Sequence, residues 1–239
     1  MGTLYVVRHG QASLFTDDYD RLSDLGRRQA RTLADHWLRH DLEFDAAWSG
    51  ELKRQVDTAA EVAAAYAEAG KRFPTLRQSA GLNEYPADDI MATLGAALRQ
   101  RDERVAELFR AAESASEGTE RYRHFHRLLE AVINCWVKGE HEPDEVPLPW
   151  QKWSDGIRST LLEAMSDARK GAAVALFTSG GVIGVTVQSV LEAPPIKAAE
   201  LNWRIYNGSV TRYTFSGARV SLDHFNDISH LPGDQLSFR

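Results

Sequence analysis

Four consecutive residues near the amino terminus, Arg8, His9, Gly10 and Gln11, include side chains suited to phosphate chemistry. The planar guanidinium of arginine can bind phosphate through several hydrogen bonds at once. Histidine titrates near neutral pH, and one of its ring nitrogens can act as a nucleophile. Glycine allows the backbone to approach a ligand closely. A salt-bridged arginine next to a histidine in a turn would have the same sequence, so these residues alone leave both interpretations open.

An apolar, β-branched run over residues 4–7 precedes this turn and predicts a short buried strand. Such runs are typical of central strands in parallel sheets that are covered on both faces. Ligands of open α/β sheets bind outside the carboxyl ends of the strands. We therefore expect Arg8 and His9 at the mouth of a crevice.

Two more predicted strands are followed by polar turns that open helices. Residues 44–48 predict a second strand, and Arg54 lies near the start of the next helix, where the helix dipole disfavours a cation. A functional demand and a plain surface arginine both explain that position. Residues 172–178 predict the clearest buried strand, which runs into the turn Ser179-Gly180-Gly181. The free N–H groups at the start of each helix favour an anion.

Together these segments resemble those of the histidine phosphatase superfamily, which is also called the phosphoglycerate mutase-like superfamily. The resemblance of the first turn implies that His9 becomes phosphorylated during turnover. The Leu-x-Arg-x-x-x-Thr-Ala pattern around Arg54 resembles the segment that carries the family's second phosphate-binding arginine. The Leu-Asn-Glu segment that ends at Glu84 resembles the one that carries a proton donor.

The chain departs from the family pattern at Ser179, where the resemblance predicts a second catalytic histidine. A serine can donate one hydrogen bond but adds no charge, and loss of one electrostatic group typically costs on the order of 100- to 1000-fold in rate. The resemblance still implies a phosphomonoester hydrolase that needs no metal or organic cofactor. The predicted catalytic residues are His9, Glu84, Arg8 and Arg54, and the predicted phosphate-binding residues are Arg8, Gly10, Gln11, Arg54, Ser179 and Gly180.

Two alternatives share the same pocket. A phosphoglycerate mutase would use the same first step, but the loop after Gln11 does not resemble the extended motif of the cofactor-dependent mutases, which favours a phosphatase. A catalytically impaired protein that binds or senses a phospholigand would keep the pocket without turnover. His224 or His230 could supply the missing charge, although both are expected to belong to the carboxyl-terminal strand and its packing.

The elements predict one α/β domain over residues 1–239, a three-layer sandwich with a mostly parallel central sheet and helices on both faces. Residues 90–169 are nearly all helical in composition and predict an insertion that caps the active-site end and shapes substrate access. His36 and His40, four residues apart on a helix, could in principle share a metal, but without a third ligand or a nearby glutamate the favoured interpretation is a solvated pair near the carboxyl end of the helix.

Further boundaries follow from local signals. Ser23 is a good N-cap for a helix that runs to about residue 40. Residues 75–78 predict a short edge strand. Residues 202–215 and 219–225 predict an antiparallel pair at the other edge of the sheet.

Composition limits the partners. The 239 residues carry a net charge of −6 and no long basic run, so neither nucleic acid nor a membrane surface is an expected partner. The expected partner is a small-molecule phosphoester, while its identity and the oligomeric state stay open. The one cysteine, Cys135, lies in a helical run where a packed thiol is expected. The lack of an intrachain disulfide and of a visible signal peptide predicts a cytoplasmic protein.

Overall fold

The computed structural model describes residues 1–12, 20–116 and 118–238. Most of the loop after Gln11, and with it the loop comparison that favoured a phosphatase over a mutase, lies outside the described residues. The chain divides into two compact units. The first consists of Met1–Glu84 and Gly156–Arg239, and the second is Tyr85–Asp155.

A mixed sheet of six strands lies in the described part of the first unit. In chain order the strands are β1 (Gly2–Arg8), β2 (Ala46–Ser49), β3 (Leu76–Gln78), β4 (Ala173–Thr178), β5 (Val210–Ser216) and β6 (Arg219–Asp227). Their spatial order is β3-β2-β4-β1-β5-β6, with parallel pairing from β3 to β1 and antiparallel pairing from β1 to β6. The predicted α/β fold with a mostly parallel sheet is confirmed.

The helices in chain order are α1 (Asp24–Arg39), α2 (Lys53–Glu68), α3 (Ala87–Ile90), α4 (Ala96–Arg101), α5 (Glu103–Ser114), α6 (Thr119–Lys138), α7 (Trp150–Ser166), α8 (Gly180–Val190) and α9 (Ile196–Asn202). A π-helical segment, Met91–Gly95, joins α3 to α4. Short 3₁₀ helices span Ala80–Leu82, Pro143–Glu145 and Gly233–Gln235. No helix within the described ranges is long and apolar enough to cross a membrane.

Helices pack on both faces of the sheet. On one face, Val7 and Phe177 share a buried apolar cluster with Leu33 of α1 and Val62 of α2. Successive residues of a strand point to opposite faces, so Leu4 lies on the other side. There it lines a cavity together with residues of α7 and α8. β1, which leads into the turn at residues 8–11, is therefore packed on both faces of the sheet.

Two local predictions need correction. β1 is central, but only its pairing with β4 is parallel, because β5 returns antiparallel along its other side. The strand predicted from residue 202 is wrong in its first part, since α9 ends at Asn202 and β5 begins at Val210. Pro195 at the N-cap position explains the helix, because proline is pre-organised for a helix start. The antiparallel pair itself, now β5 and β6, is confirmed.

The second unit has an aromatic core. The rings of Tyr85, Trp136, Trp150 and Trp153 pack with centroid distances of 5.2 to 5.6 Å.

Burial raises the pKa of the Cys135 thiol, which suits a packed thiol rather than a nucleophile. The capping role assigned to the helical segment from its sequence stays a prediction.

Four histidines line a cavity of about 260 Å³ on the first unit: His36, His40, His224 and His230. The ring of His36 lies 4.7 Å from that of His40 and 5.8 Å from that of His230. Burial lowers the pKa of His230 to about 4, against the opposing effect of its hydrogen bond to the Gly208 carbonyl. His230 is therefore neutral near pH 7 and does not supply the charge that a histidine at position 179 would carry.

We expect the free energy of unfolding to decrease as the pH falls from about 6.5 to about 4. Unfolded His230 takes up a proton near 6.5, whereas the folded form does so near 4, so acid favours the unfolded chain in this window. The loss attributable to His230 is on the order of 3 kcal/mol. The free energy of unfolding, measured with urea across this pH range, should depend less steeply on pH in His230→Gln than in wild type. His141→Gln serves as the control and should show the wild-type pH dependence. Equal slopes in all three proteins would contradict the assignment.

Candidate active site

The ends of β1 and β4 bring the turn at residues 8–11 next to the turn Ser179-Gly180-Gly181. These strands are parallel neighbours, with Arg8 opposite Thr178 in register. The His9 N–H donates to the Thr178 carbonyl oxygen at 2.8 Å. Ser179 follows directly and is fully buried. The strand-end arrangement expected from the two apolar runs is therefore present.

His9 is held in one tautomer by its two ring contacts. Its Nδ1 lies 2.7 Å from the Gly10 carbonyl oxygen, which can only accept, so Nδ1 carries the proton. Its Nε2 then carries the lone pair and accepts from Arg54 Nε at 3.1 Å. Burial, the charge of Arg54 and the charge of Arg8 hold the pKa of His9 well below its ordinary value. His9 is thus a neutral imidazole with its Nε2 lone pair facing a guanidinium.

Arg54 lies in the first turn of α2 and is mostly buried, with a side chain that is 11% exposed. It is therefore not the surface arginine that the sequence allowed. Its Nη1 donates to Asp20 Oδ1 at 2.5 Å, and the other oxygen of that carboxylate accepts from the Lys53 N–H at 2.7 Å. Asp20 thus binds the start of α2 and fixes the guanidinium. No sequence pattern distinguished it from other acidic residues.

Arg8 is buried at the end of β1, and its guanidinium donates to the Ile205 carbonyl oxygen. The segment that follows also binds the turn: the Gly208 N–H donates to the carbonyl oxygens of Arg8 and His9 at 3.1 and 3.2 Å. Gly208 has a φ of +71°, which favours glycine at that position. Asn207 Nδ2 donates to the His9 carbonyl oxygen at 3.3 Å. The residues before β5 therefore position the first turn.

Gly10 and Gln11 are tied to α1. A Cβ at Gly10 would lie 2.3 Å from the Gly26 carbonyl oxygen, so the close backbone approach at this glycine is to the helix. The Gln11 N–H donates to Gln29 Oε1 at 2.8 Å, and its side-chain oxygen accepts from Ser23 Oγ at 2.9 Å. These contacts fix the turn against α1.

The start of α8 binds the side chain of Glu84. The Gly181 N–H donates to Glu84 Oε2 at 3.0 Å. Within the protein, the N–H group that could bind an anion at this helix start is used by the side chain of Glu84. A Cβ at Gly180 would lie 2.3 Å from Asn202 Oδ1, so this glycine allows close packing of α9. Ser179 Oγ accepts from Gln55 Nε2 at 2.8 Å, a contact that sequence reasoning missed.

His9 therefore lies with Arg8 and Arg54 at the strand ends of an α/β sheet, where the charges of both arginines act on its ring. Residues 4–147, more than half of the chain, match the model of the histidine phosphatase superfamily (branch 1). The chain belongs to this superfamily, which confirms the resemblance seen in its motifs. No curated protein sequence matches the chain significantly.

Solved structures share the fold at low identity. A phosphoserine phosphatase mutant from Entamoeba histolytica, in complex with phosphoserine, has a TM-score of 0.63 at 20% identity, covering 97% of this chain and 100% of its own. A phosphoglycerate mutase from Bacillus anthracis has a TM-score of 0.61 at 18% identity, covering 96% and 94%. A mycobacterial glucosyl-3-phosphoglycerate phosphatase with inorganic phosphate has a TM-score of 0.59 at 20% identity, covering 97% and 100%.

Proposed function

We propose that this protein is a phosphomonoester hydrolase that acts through a phosphohistidine on His9 and needs no metal ion. The observation that carries the proposal is the neutral imidazole, whose Nε2 lone pair lies 3.1 Å from Arg54 Nε. Nucleophilic catalysis requires the unprotonated nitrogen, and a low pKa keeps it available at neutral pH. The adjacent guanidinium can bind the oxygens of the group that the nitrogen attacks.

In the first step, the Arg54 N–H turns from His9 Nε2 to an oxygen of the phosphoryl group, and the freed Nε2 lone pair attacks phosphorus in line, forming the N–P bond while the ester P–O bond breaks. Arg54 and Arg8 bind the equatorial oxygens, where the charge of the transition state spreads. Ser179 donates one further hydrogen bond, and the backbone at Gly180 completes the cradle. The N–H groups of Gly10 and Gln11 donate to Thr58 Oγ1 and Gln29 Oε1, so these two residues hold the turn rather than the phosphoryl group. Glu84, held by the Gly181 N–H, gives its proton to the leaving oxygen.

In the second step, water attacks the phosphohistidine, the N–P bond breaks and orthophosphate forms. Glu84, now ionised, accepts a proton from the water and returns to its acid form. His9 Nδ1 keeps its hydrogen bond to the Gly10 carbonyl oxygen through both steps, which holds the ring in line. We expect the enzyme to act in the cytoplasm on small phosphorylated metabolites. Its candidate substrates include phosphoserine and phosphoglycerates, which neighbouring structures are named for.

The test is a panel of phosphomonoesters, including p-nitrophenyl phosphate, phosphoserine and 3-phosphoglycerate, with released orthophosphate as the readout. Rapid quenching should trap an acid-labile, base-stable phosphoenzyme, and turnover should persist in EDTA. Phosphate binding without turnover on any ester would instead indicate a phospholigand-binding protein. Return of the phosphoryl group to a phosphoglycerate would indicate a mutase.

A further inference from the structure

Gln55 is a fully buried amide that the proposed mechanism does not use. It follows Arg54 in the first turn of α2. Its Nε2 lies 3.0 Å from the Leu82 carbonyl oxygen and 2.8 Å from Ser179 Oγ. Because a carbonyl oxygen can only accept, the nitrogen rather than the oxygen of the amide faces Leu82. The amide orientation is therefore set by its partners.

This orientation determines how the Ser179 hydroxyl is used. Gln55 Nε2 donates to Ser179 Oγ, which accepts through a lone pair. Among the described residues the Ser179 proton has no acceptor. An unused donor that is buried is costly, and a bound oxyanion would satisfy it. The contact thus leaves the Ser179 proton as the donor that the proposed oxyanion would bind.

Gln55 also connects the segments that carry the other proposed catalytic groups. Its Oε1 accepts from the Leu52 N–H at 3.3 Å, which fixes the turn before Arg54. Its bond to the Leu82 carbonyl fixes the segment that ends at Glu84. One amide therefore sets the spacing of three segments: the start of α2, the Glu84 segment and the start of α8.

We propose that Gln55 is a positioning residue that acts through Ser179, holding its hydroxyl so that the proton is donated to the phosphoryl oxygens. This inference rests on the proposed function and names a residue that it does not include. Similar size alone does not satisfy this position, because an acceptor facing Ser179 would reverse the direction of the hydrogen bond. The role is therefore one of chemistry as well as of packing.

The test is a double-mutant cycle between Gln55→Met and Ser179→Ala. Methionine matches the length of glutamine without a donor, and the Leu82 carbonyl keeps Thr178 Oγ1 as a donor at 2.7 Å, which favours folding. Each single variant is expected to lower kcat about 100-fold with a smaller change in KM. The double variant should be little worse than either single variant, because Gln55 acts through Ser179. Losses that multiply would overturn the proposal.

Gln55→Glu gives a second, independent readout. Its ionised carboxylate would accept the Ser179 proton and face the Leu82 carbonyl unfavourably, whereas its protonated form can donate again. The kcat of this variant, relative to wild type, is expected to rise as the pH is lowered from about 8 to about 5, since burial raises the pKa of a carboxyl. A pH-independent ratio would overturn the proposal, because a purely structural defect would not recover with acid.

Measuring orthophosphate binding distinguishes failure of the proposed function from failure of the role of Gln55. If the wild type turns over no ester, the same cycle is measured on the Kd for orthophosphate by calorimetry. Weaker and non-additive binding in the variants would support the role of Gln55 without catalysis. Unchanged binding in Gln55→Met, or no phosphate binding by the wild type, would overturn it.

Discussion

Replacing His9 with alanine is expected to abolish the phosphoenzyme and to lower kcat/KM by at least about 1000-fold, since it removes the nucleophile of the proposed reaction. The structure gives the reason: Nε2 of His9 is the ring nitrogen with a lone pair, and it lies beside Arg54. Rapid-quench trapping of acid-labile phosphate and steady-state hydrolysis of p-nitrophenyl phosphate measure the two effects.

Two variants separate the chemistry of His9 from its packing. His9→Asn keeps a side-chain N–H near the Gly10 carbonyl but has no group at the position of Nε2, so it should fold and remain inactive. His141→Ala removes an imidazole from the second unit and should leave hydrolysis unchanged. Trapped phosphate in His9→Asn, or hydrolysis within about tenfold of wild type, would contradict a nucleophilic His9.

Much of the candidate site could be predicted because its residues lie at, or just after, the ends of predicted strands. Arg8 and His9 come immediately after an apolar run, and Arg54 lies where a helix dipole disfavours a cation, which is a readable signal. Gln55 and Asp20 could not be predicted in this way. Their roles depend on partners 124 and 34 residues away in the chain, Ser179 and Arg54, and nothing in the local sequence marks such contacts.

The fold was predictable where local signals and tertiary packing agree. Ser23 caps α1 as expected, its Oγ accepting from the Gly26 N–H at 3.1 Å. The prediction of β2 began two residues early, because Phe44 packs against Trp37, with ring centroids 4.7 Å apart, instead of joining the sheet. α9 was missed although Pro195 and the helix-forming residues after it signal a helix start.

Removing the charge of Arg54 should have two effects that can be measured separately. Arg54→Ala is expected to lower kcat/KM about 100- to 1000-fold, because one oxyanion-stabilising group is lost. It should also raise the pKa of His9, since the guanidinium is the second-largest contribution to its depression after burial. Protonation of His9 removes the nucleophile, so the acid limb of kcat/KM should move to higher pH in the variant.

Arg54→Lys is the matched control because it keeps the charge while losing the planar fork of donors. It should lose less activity than Arg54→Ala and keep the acid limb near that of wild type. The ionisation of the substrate is common to all three proteins, so the ratio of variant to wild-type kcat/KM isolates the enzyme's own titration. For Arg54→Ala this ratio should fall further as the pH is lowered, whereas for Arg54→Lys it should stay nearly constant. A constant ratio for both variants would mean that Arg54 does not control the protonation of His9, and the 3.1 Å contact would then be a packing feature alone.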